Sequence, residues 1–397
     1  MDILKEAKAL ESELVAHRRW LHQHPGVAFE LTETKEYVRR QLTEMGFSPA
    51  DCGKAGLVAA VGGKKEGKTF LLRADMDALP IPEESGVEFA STNGAMHACG
   101  HDMHTAMLLG AAKLLKAHED EICGTVKLMF QPAEEIFEGG KDMIEHGVLE
   151  NPKPDTALMI HVTAAIPMSA GRIIVCAPGV SAPAADYFTI KVQGKGCHGS
   201  APQNGIDALT AASHILLALQ EIHARELPAS EEAVLTIGTF HGGAASNVIA
   251  DSAELGGTIR TYDEKTRSFL KERMTQIAQS VAAAYRATAT VEFGSGCPTL
   301  VNDGDLAKQT KRYLTDLLGA EMVLSAADLG GMRGGGSEDF AYVSHEVPSL
   351  MLALAAGEPD KGYAFPQHHP KVKFDESVLP IGTAAFVAAA MGWLANN

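Results

Sequence analysis

The sequence predicts an α/β fold in two parts: a mixed, mostly parallel sheet domain interrupted by a smaller ferredoxin-like α+β domain. Three observations lead there. Apolar strand-like runs alternate with helical-period segments through residue 182, as expected of a largely parallel sheet. Near Pro183 the order becomes β-α-β-β-α-β over roughly 110 residues, which is the ferredoxin-like split unit. After Gly294 the first pattern resumes. The expected boundaries are 1–182 with 295–397 for the discontinuous domain and 183–294 for the insert.

The elements follow in order. Residues 2–22 place Ile3, Leu4, Ala7, Leu10, Leu14 and Leu21 at helical spacing, and His24-Pro25-Gly26 ends that helix. Thr32 opens a second helix that stops at Gly46. Strands are expected at Gly56–Gly62 and Thr69–Ala74, the latter running into RADMDALP (73–80). A long helix runs from His101 to His118, and Thr125–Phe130 is a strand followed at once by QPAEE (131–135). Gly139–His146 is helical, and Thr156–Ile160 is a buried strand leading to His161. In the insert, strands are expected at Asp186–Gln193, Ala233–Phe240, Ala253–Thr261 and Ala289–Phe293. Its helices fall at Ile206–His223 and Glu264–Tyr285. A helix at Asp305–Leu318, a strand at Ser349–Leu354 and a helix at Glu376–Leu394 complete the chain. Gly334-Gly335-Gly336 reads as a loop; without a Gly-Lys-Ser/Thr ending it is no nucleotide site.

Composition narrows the function classes. Of 397 residues 46% are hydrophobic and 21% charged, a globular balance. Net charge is −16 with no basic run, which argues against nucleic-acid or anionic-membrane binding. No stretch reads as a membrane span or signal peptide, so a cytoplasmic protein is expected. Six scattered cysteines are too few for a disulfide scaffold.

The chemistry-bearing residues cluster at strand ends, where open α/β sheets bind ligands. MHACGHDMHTA (96–106) puts Cys99 and His101 two apart, and thiolate with imidazole suits zinc and its neighbours. QPAEE supplies Glu134 and Glu135, whose side chains diverge, so that one can bind metal while the other serves as a base. His161 ends an apolar strand and His368 lies in a polar loop. Each alone has an ordinary structural explanation: a buried thiol, a solvated acid pair, a structural histidine, a surface loop. Together, Cys99, His101, Glu135, His161 and His368 exceed one tetrahedral site and fit two metals sharing a bridge, an arrangement typical of hydrolases.

MHACGHD, FQPAEE, GKGCHGSAP (194–202), ASNVIAD (245–251), GTIR (257–260), GSEDFA (336–341) and HHP (368–370), in that order, resemble the dinuclear metallo-amidohydrolases of the aminoacylase and hippurate hydrolase group. That group includes plant auxin-conjugate hydrolases and is related to glutamate carboxypeptidase and succinyl-diaminopimelate desuccinylase. The resemblance covers almost the whole chain. It implies hydrolysis of N-acyl amino acids by a metal-bridging water, two divalent ions (zinc, manganese, cobalt or nickel) and an insert acting as lid or dimerisation domain. It further implies that Cys99 bridges the metals, that Glu135 and His368 serve one and His101 and His161 the other, and that Glu134 is the general base. Asp77 would orient a ligand histidine. His198, Asn247 and Arg260 in the insert would recognise the substrate carboxylate or the oxyanion, within a subunit or across a homodimer or tetramer.

Met103, Cys197 and Ala250 depart from the group's pattern, where Gly, Gly and Pro are usual, and Met103 is expected to narrow the pocket. Residues 162–170 lack the group's aromatic-containing loop. Competing readings are a metallo-dipeptidase or carboxypeptidase, a non-catalytic metal-dependent binding module, and a thiol or serine hydrolase built on Cys99 or Cys197. The retained base Glu134 separates an enzyme from a binder, and chelation separates a metal hydrolase from a thiol one. Arg260 could equally pair with an acid of its own sheet, and Asn247 could be a turn former.

Overall fold

A computed structural model describes residues 2–330 and 335–397; Gly334 of the triple-glycine loop lies outside them. The described chain divides into two compact units, 2–181 with 300–330 and 338–397, and 182–299 with 335–337.

The larger unit is built on an eight-stranded sheet in the order Ala50–Cys52, Gly56–Gly62, Thr125–Gln131, Thr69–Asp75, Thr156–Thr163, Ser349–Ala355, Ile173–Val175, Val323–Ser325. Its four central strands, Thr125–Gln131 to Ser349–Ala355, are mutually parallel. They are buried on both faces and read as continuous apolar runs, as parallel strands do. The flanking strands Gly56–Gly62 and Ile173–Val175 pair antiparallel to this centre. Register aligns Asp75 with Gln131 and His161 with Ala353, so the polar ends of the central strands share one rim.

Three sequence expectations change. The helix expected over 2–22 is two, Ile3–Ala9 and Glu11–Gln23, because Leu10 leaves helical geometry (φ −90, ψ 0). The His161 strand continues to Thr163, so His161 lies within the paired strand rather than beyond it. The segment Glu376–Asn396 is long and apolar enough to span a bilayer, against the reading that no stretch is, and 78% of its most apolar window is buried inside the protein. Phe386 and Leu379 in it are fully buried and Trp393 packs edge-on against Phe70. A helix apolar all round is a core helix when the protein itself surrounds it. Short strands such as Ile173–Val175 and Val323–Ser325, of three residues each, carry too little periodicity to be read in advance.

The smaller unit is a four-stranded antiparallel sheet in the order Ala233–Gly242, Ser252–Thr261, Ala184–Gln193, Thr288–Cys297. In chain order this is 2-3-1-4, the ferredoxin-like arrangement. Helices Ala208–Glu221 and Glu264–Ala284, capped by Asp207 and Asp263, bury Ile215, Leu270 and Met274 with Ile190, Leu255 and Ile259 of the sheet. Asp186 on this helix-covered side is held by Arg267 and Lys271 at 2.6 Å each. A short ribbon pairs Cys197–His198 with Val248–Ile249.

Candidate metal centre

Gly100 controls the approach to the centre. It adopts φ +92, and a Cβ there would meet the Val162 side chain at 2.4 Å. That turn admits Cys99 to the rim and makes His101 the first residue of the helix His101–Ala117. His104 follows one turn later on the same face. The rings of His101, His104 and His161 meet with centroids 4.6 to 6.1 Å apart.

All five expected ligands come together. Cys99, His101 and His161 form one group with their ligating atoms within 4.8 Å of one another, and Cys99, Glu135 and His368 form a second. Cys99 Sγ lies 3.5 Å from His161 Nε2, and His368 Nε2 lies 3.4 Å from Glu135 Oε2. Two ligands at tetrahedral angles about one zinc, with Zn–S about 2.3 Å and Zn–N or Zn–O about 2.1 Å, stand roughly 3.4–3.6 Å apart. His101 Nε2 and Glu135 Oε1 are buried with no hydrogen-bond partner, an expensive condition unless another group binds them. Burial also raises the Cys99 thiol, with the Glu135 charge adding to it, and raises Glu135 to about 7. Such a donor set needs cations, so the residues present fit two metal ions.

The far ring nitrogens of both strand-rim histidines are engaged. His101 Nδ1 donates to the Asp77 carbonyl (2.9 Å) and His161 Nδ1 to the Val162 carbonyl (2.7 Å), which leaves Nε2 of each for a ligand. His368 sits at φ +65 with its N–H on the Ala98 carbonyl; backbone strain of this kind persists where the surroundings enforce it.

Asp77 does more than orient a histidine. Its carbonyl holds the His101 ring, while its carboxylate accepts the backbone N–H groups of Glu134 (3.0 Å) and Glu135 (3.2 Å). The turn they occupy begins at Ala133, φ +54, directly after the Thr125–Gln131 strand. The pair is thereby held with Glu135 among the expected ligands and Glu134 Oε2 3.9 Å from His101 Nε2. Burial pushes Glu134 well up, and the neighbouring Glu338 and Glu135 push it further.

Beneath the pair lies a network that sequence reasoning did not assign. Arg73, fully buried, binds Asp75 (2.7 Å), Glu338 (2.8 Å) and Asp339 (3.1 Å), and donates to Gln131 (3.0 Å). Asp75 in turn holds His104 at 2.6 Å, and His104 Nε2 accepts the Val162 N–H. Glu134, Glu338 and Asp339 form a buried carboxylate group. The charged residues inside RADMDALP and GSEDFA were the available signal. Met103 is fully buried in the hydrophobic core, so it does not narrow an open pocket as expected.

Within the smaller unit, His198 and Asn247 belong to one ribbon, where the Asn247 carbonyl accepts the Gly199 N–H at 2.8 Å. His198 is exposed, and its Nδ1 accepts the Ser200 backbone N–H at 3.2 Å. In neutral imidazole the proton then rests on Nε2, a ready donor. Arg260 donates to the Ser337 hydroxyl, and among the described residues no carboxylate pairs with it.

Residues 71–392 match the profile described as Peptidase family M20/M25/M40. The chain is similar to the N-acetyl-L-cysteine deacetylase of Bacillus subtilis, at 36% identity over 379 residues covering 93% of this chain and 85% of that protein. It is similar to thermostable carboxypeptidase 2 of Saccharolobus solfataricus, at 36% identity over 397 residues covering 97% and 96%. Among solved structures it resembles the YXEP protein of Bacillus subtilis, described as a dinuclear metal binding peptidase from the M20 family. The TM-score is 0.81 at 32% identity, covering 98% of this chain and 100% of that one.

Proposed function

The chain belongs to peptidase family M20/M25/M40, and from that premise we propose that it is a metal-dependent amidohydrolase cleaving N-acyl amino acids with a free α-carboxylate to a carboxylic acid and an amino acid. One observation carries the reading: two ligand groups share Cys99, and Glu134, which belongs to neither, stands beside them clamped by Asp77.

Cys99, Glu135 and His368 would hold one divalent ion and Cys99, His101 and His161 the other. Such ions polarise a carbonyl and acidify water at neutral pH; a thiolate ligand favours zinc, while manganese, cobalt and nickel also suit the set. Glu134 takes the proton from the attacking water and returns it to the leaving nitrogen. Asp77 keeps the carboxylate aimed, and Arg73 keeps the buried acids below it compensated. His198, with its donor on Nε2, serves the oxyanion, and Arg260 and Asn247 receive the α-carboxylate.

The deacetylase relative supports the N-acyl reading, and the carboxypeptidase relative supports a peptide-cleaving one. Rates on N-acetyl, N-benzoyl and indole-acetyl amino acids, compared with dipeptides of the same C-terminal residue, decide between them; faster peptide cleavage overturns the first. A cytoplasmic homodimer belongs to the same reading, joined through the uncovered edge strand Ala233–Gly242, where Val234 and Phe240 are exposed.

A further inference from the structure

The Glu11–Gln23 helix buries two basic side chains, Arg18 and His22, far in sequence from every expected ligand. Both meet the carboxylate of Asp102, the residue that follows His101. Arg18 Nε donates to Asp102 Oδ2 at 2.7 Å, and His22 Nδ1 lies 2.8 Å from the same oxygen. The other His22 nitrogen, Nε2, lies 3.0 Å from Glu83 Oε1, and Glu83 also accepts the Ser91 N–H at 2.7 Å. With a carboxylate at each nitrogen, the ring donates from both. Asp102 Oδ1 is buried with no hydrogen-bond partner among the described residues, so the carboxylate is held wholly through Oδ2 and its two donors.

Gly100 makes this attachment matter. It separates Cys99 from His101 at φ +92, and a residue without a Cβ permits such a turn but does not fix it. The two ligands must therefore be held from either side. On the Cys99 side, the Ala98 carbonyl accepts the His368 N–H at 2.9 Å, and Met96 pairs with Leu79. On the other side, Asp77 orients the His101 ring, and Asp102 anchors the backbone that carries it, in the first turn of the helix, where an acid also suits the dipole. We propose that Arg18 and His22 are positioning residues for the metal centre: through Asp102 they fix the first turn of the His101–Ala117 helix and so hold His101 to the ion it would share with Cys99 and His161. This rests on the reading that those three residues bind an ion.

The test is titration of metal-free protein with cobalt(II), read from the absorbance of the bound ion rather than from turnover. The unmodified protein should take up two ions per chain. Arg18→Ala and His22→Ala should each weaken one of them by about 10–100-fold, the usual effect of losing a group that supports a metal ligand. The other ion, which Glu135 and His368 would hold with Cys99, should bind as before. His22→Asn, whose amide nitrogen stands near the place of Nδ1, should recover part of the loss, and so should Arg18→Lys. Removing a partner of a buried carboxylate also costs stability; where an alanine variant does not fold, these two conservative variants should show the same one-sided weakening to a smaller degree. No weakening in the folded variants, or equal weakening of both ions, overturns the proposal, since a general loosening of the fold would not choose between them. Fewer than two ions in the unmodified protein overturns the two-metal reading instead.

Discussion

Asp77 joins the two halves of the centre, since one residue supplies the carbonyl that orients His101 and the carboxylate that fixes the Glu134–Glu135 turn. Asp77→Ala keeps the backbone carbonyl on His101 but removes both acceptors of the Glu134–Glu135 turn, so it should lower kcat and weaken metal binding through Glu135, and Asp77→Asn, which keeps one acceptor oxygen, should retain more of each. Metal analysis alongside turnover checks this. His198 gives a different pattern. Its Nε2 donor lies in the other unit from the ligands, so His198→Ala should keep both metals and lose about 10²–10³ in kcat, the usual effect of one oxyanion donor. A full-speed variant would remove it from the mechanism. At this scale the sequence was most legible where one side chain plays one part, because each ligand candidate is a donor-bearing side chain on or beside the rim of the central strands. It was least legible where the backbone acts. Nothing in the composition of RADMDALP says that the Asp77 carbonyl, rather than its side chain, holds the imidazole.

The Thr69–Asp75 strand ends in a buried charge network instead of the apolar cap a central strand usually shows. Arg73 there is surrounded by Asp75, Glu338 and Asp339, and burial raises Asp339 to about 8 despite the opposing pull of Arg73. Arg73→Met should destabilise the fold by about 3–5 kcal/mol, because the buried acids around it lose the cation that compensates them. Arg73→Lys should recover only part, having charge without the forked geometry; urea denaturation measures both. The helix Glu11–Gln23 contributes a pH dependence. Burial holds His17 below the ordinary histidine value against the pull of Glu13, and its ring meets the Tyr37 hydroxyl at 2.7 Å. His17 is thus neutral when folded. Its contribution is complete above about pH 6.5, the unfolded value, and is lost as pH falls through the lower folded value, by at most about 1.4 kcal/mol per pH unit. His17→Leu should flatten the stability profile as pH falls below about 6.5; an unchanged slope would contradict the assignment. Element boundaries were legible where hydrophobic period and a cap agree, as at Asp263 before Glu264–Ala284. They were not at Leu10, where one residue of non-helical geometry divides a continuous apolar period.

Across the whole molecule, the strand and helix order of both units was readable because each strand of the centre is a continuous apolar run and each helix has its own period. The C-terminal helix was placed correctly but its apolar length was understated: it is long enough to span a bilayer, and its burial inside the protein, not its composition, marks it as a core helix. The five proposed ligands are spread from Cys99 to His368, and only their conjunction with the ordered motifs pointed to one centre. The Arg73 network escaped because two of its partners, Glu338 and Asp339, are 265 and 266 residues from it in sequence. If a dimer shares its sites, mixing inactive His198→Ala with inactive Glu134→Gln should regenerate activity through hybrids. No recovery despite subunit exchange would confine His198 to its own subunit.

The central claim is that Glu134 is the base of a two-metal amide hydrolase, distinct from the ligand beside it. The most direct measurement is turnover of an N-acyl amino acid by Glu134→Gln together with its metal content. Two bound metals per chain with kcat lowered by roughly 10²–10⁴ is the predicted result, whereas Glu135→Gln should lose metal. Near-normal turnover in Glu134→Gln, or loss of its metals, would contradict the account.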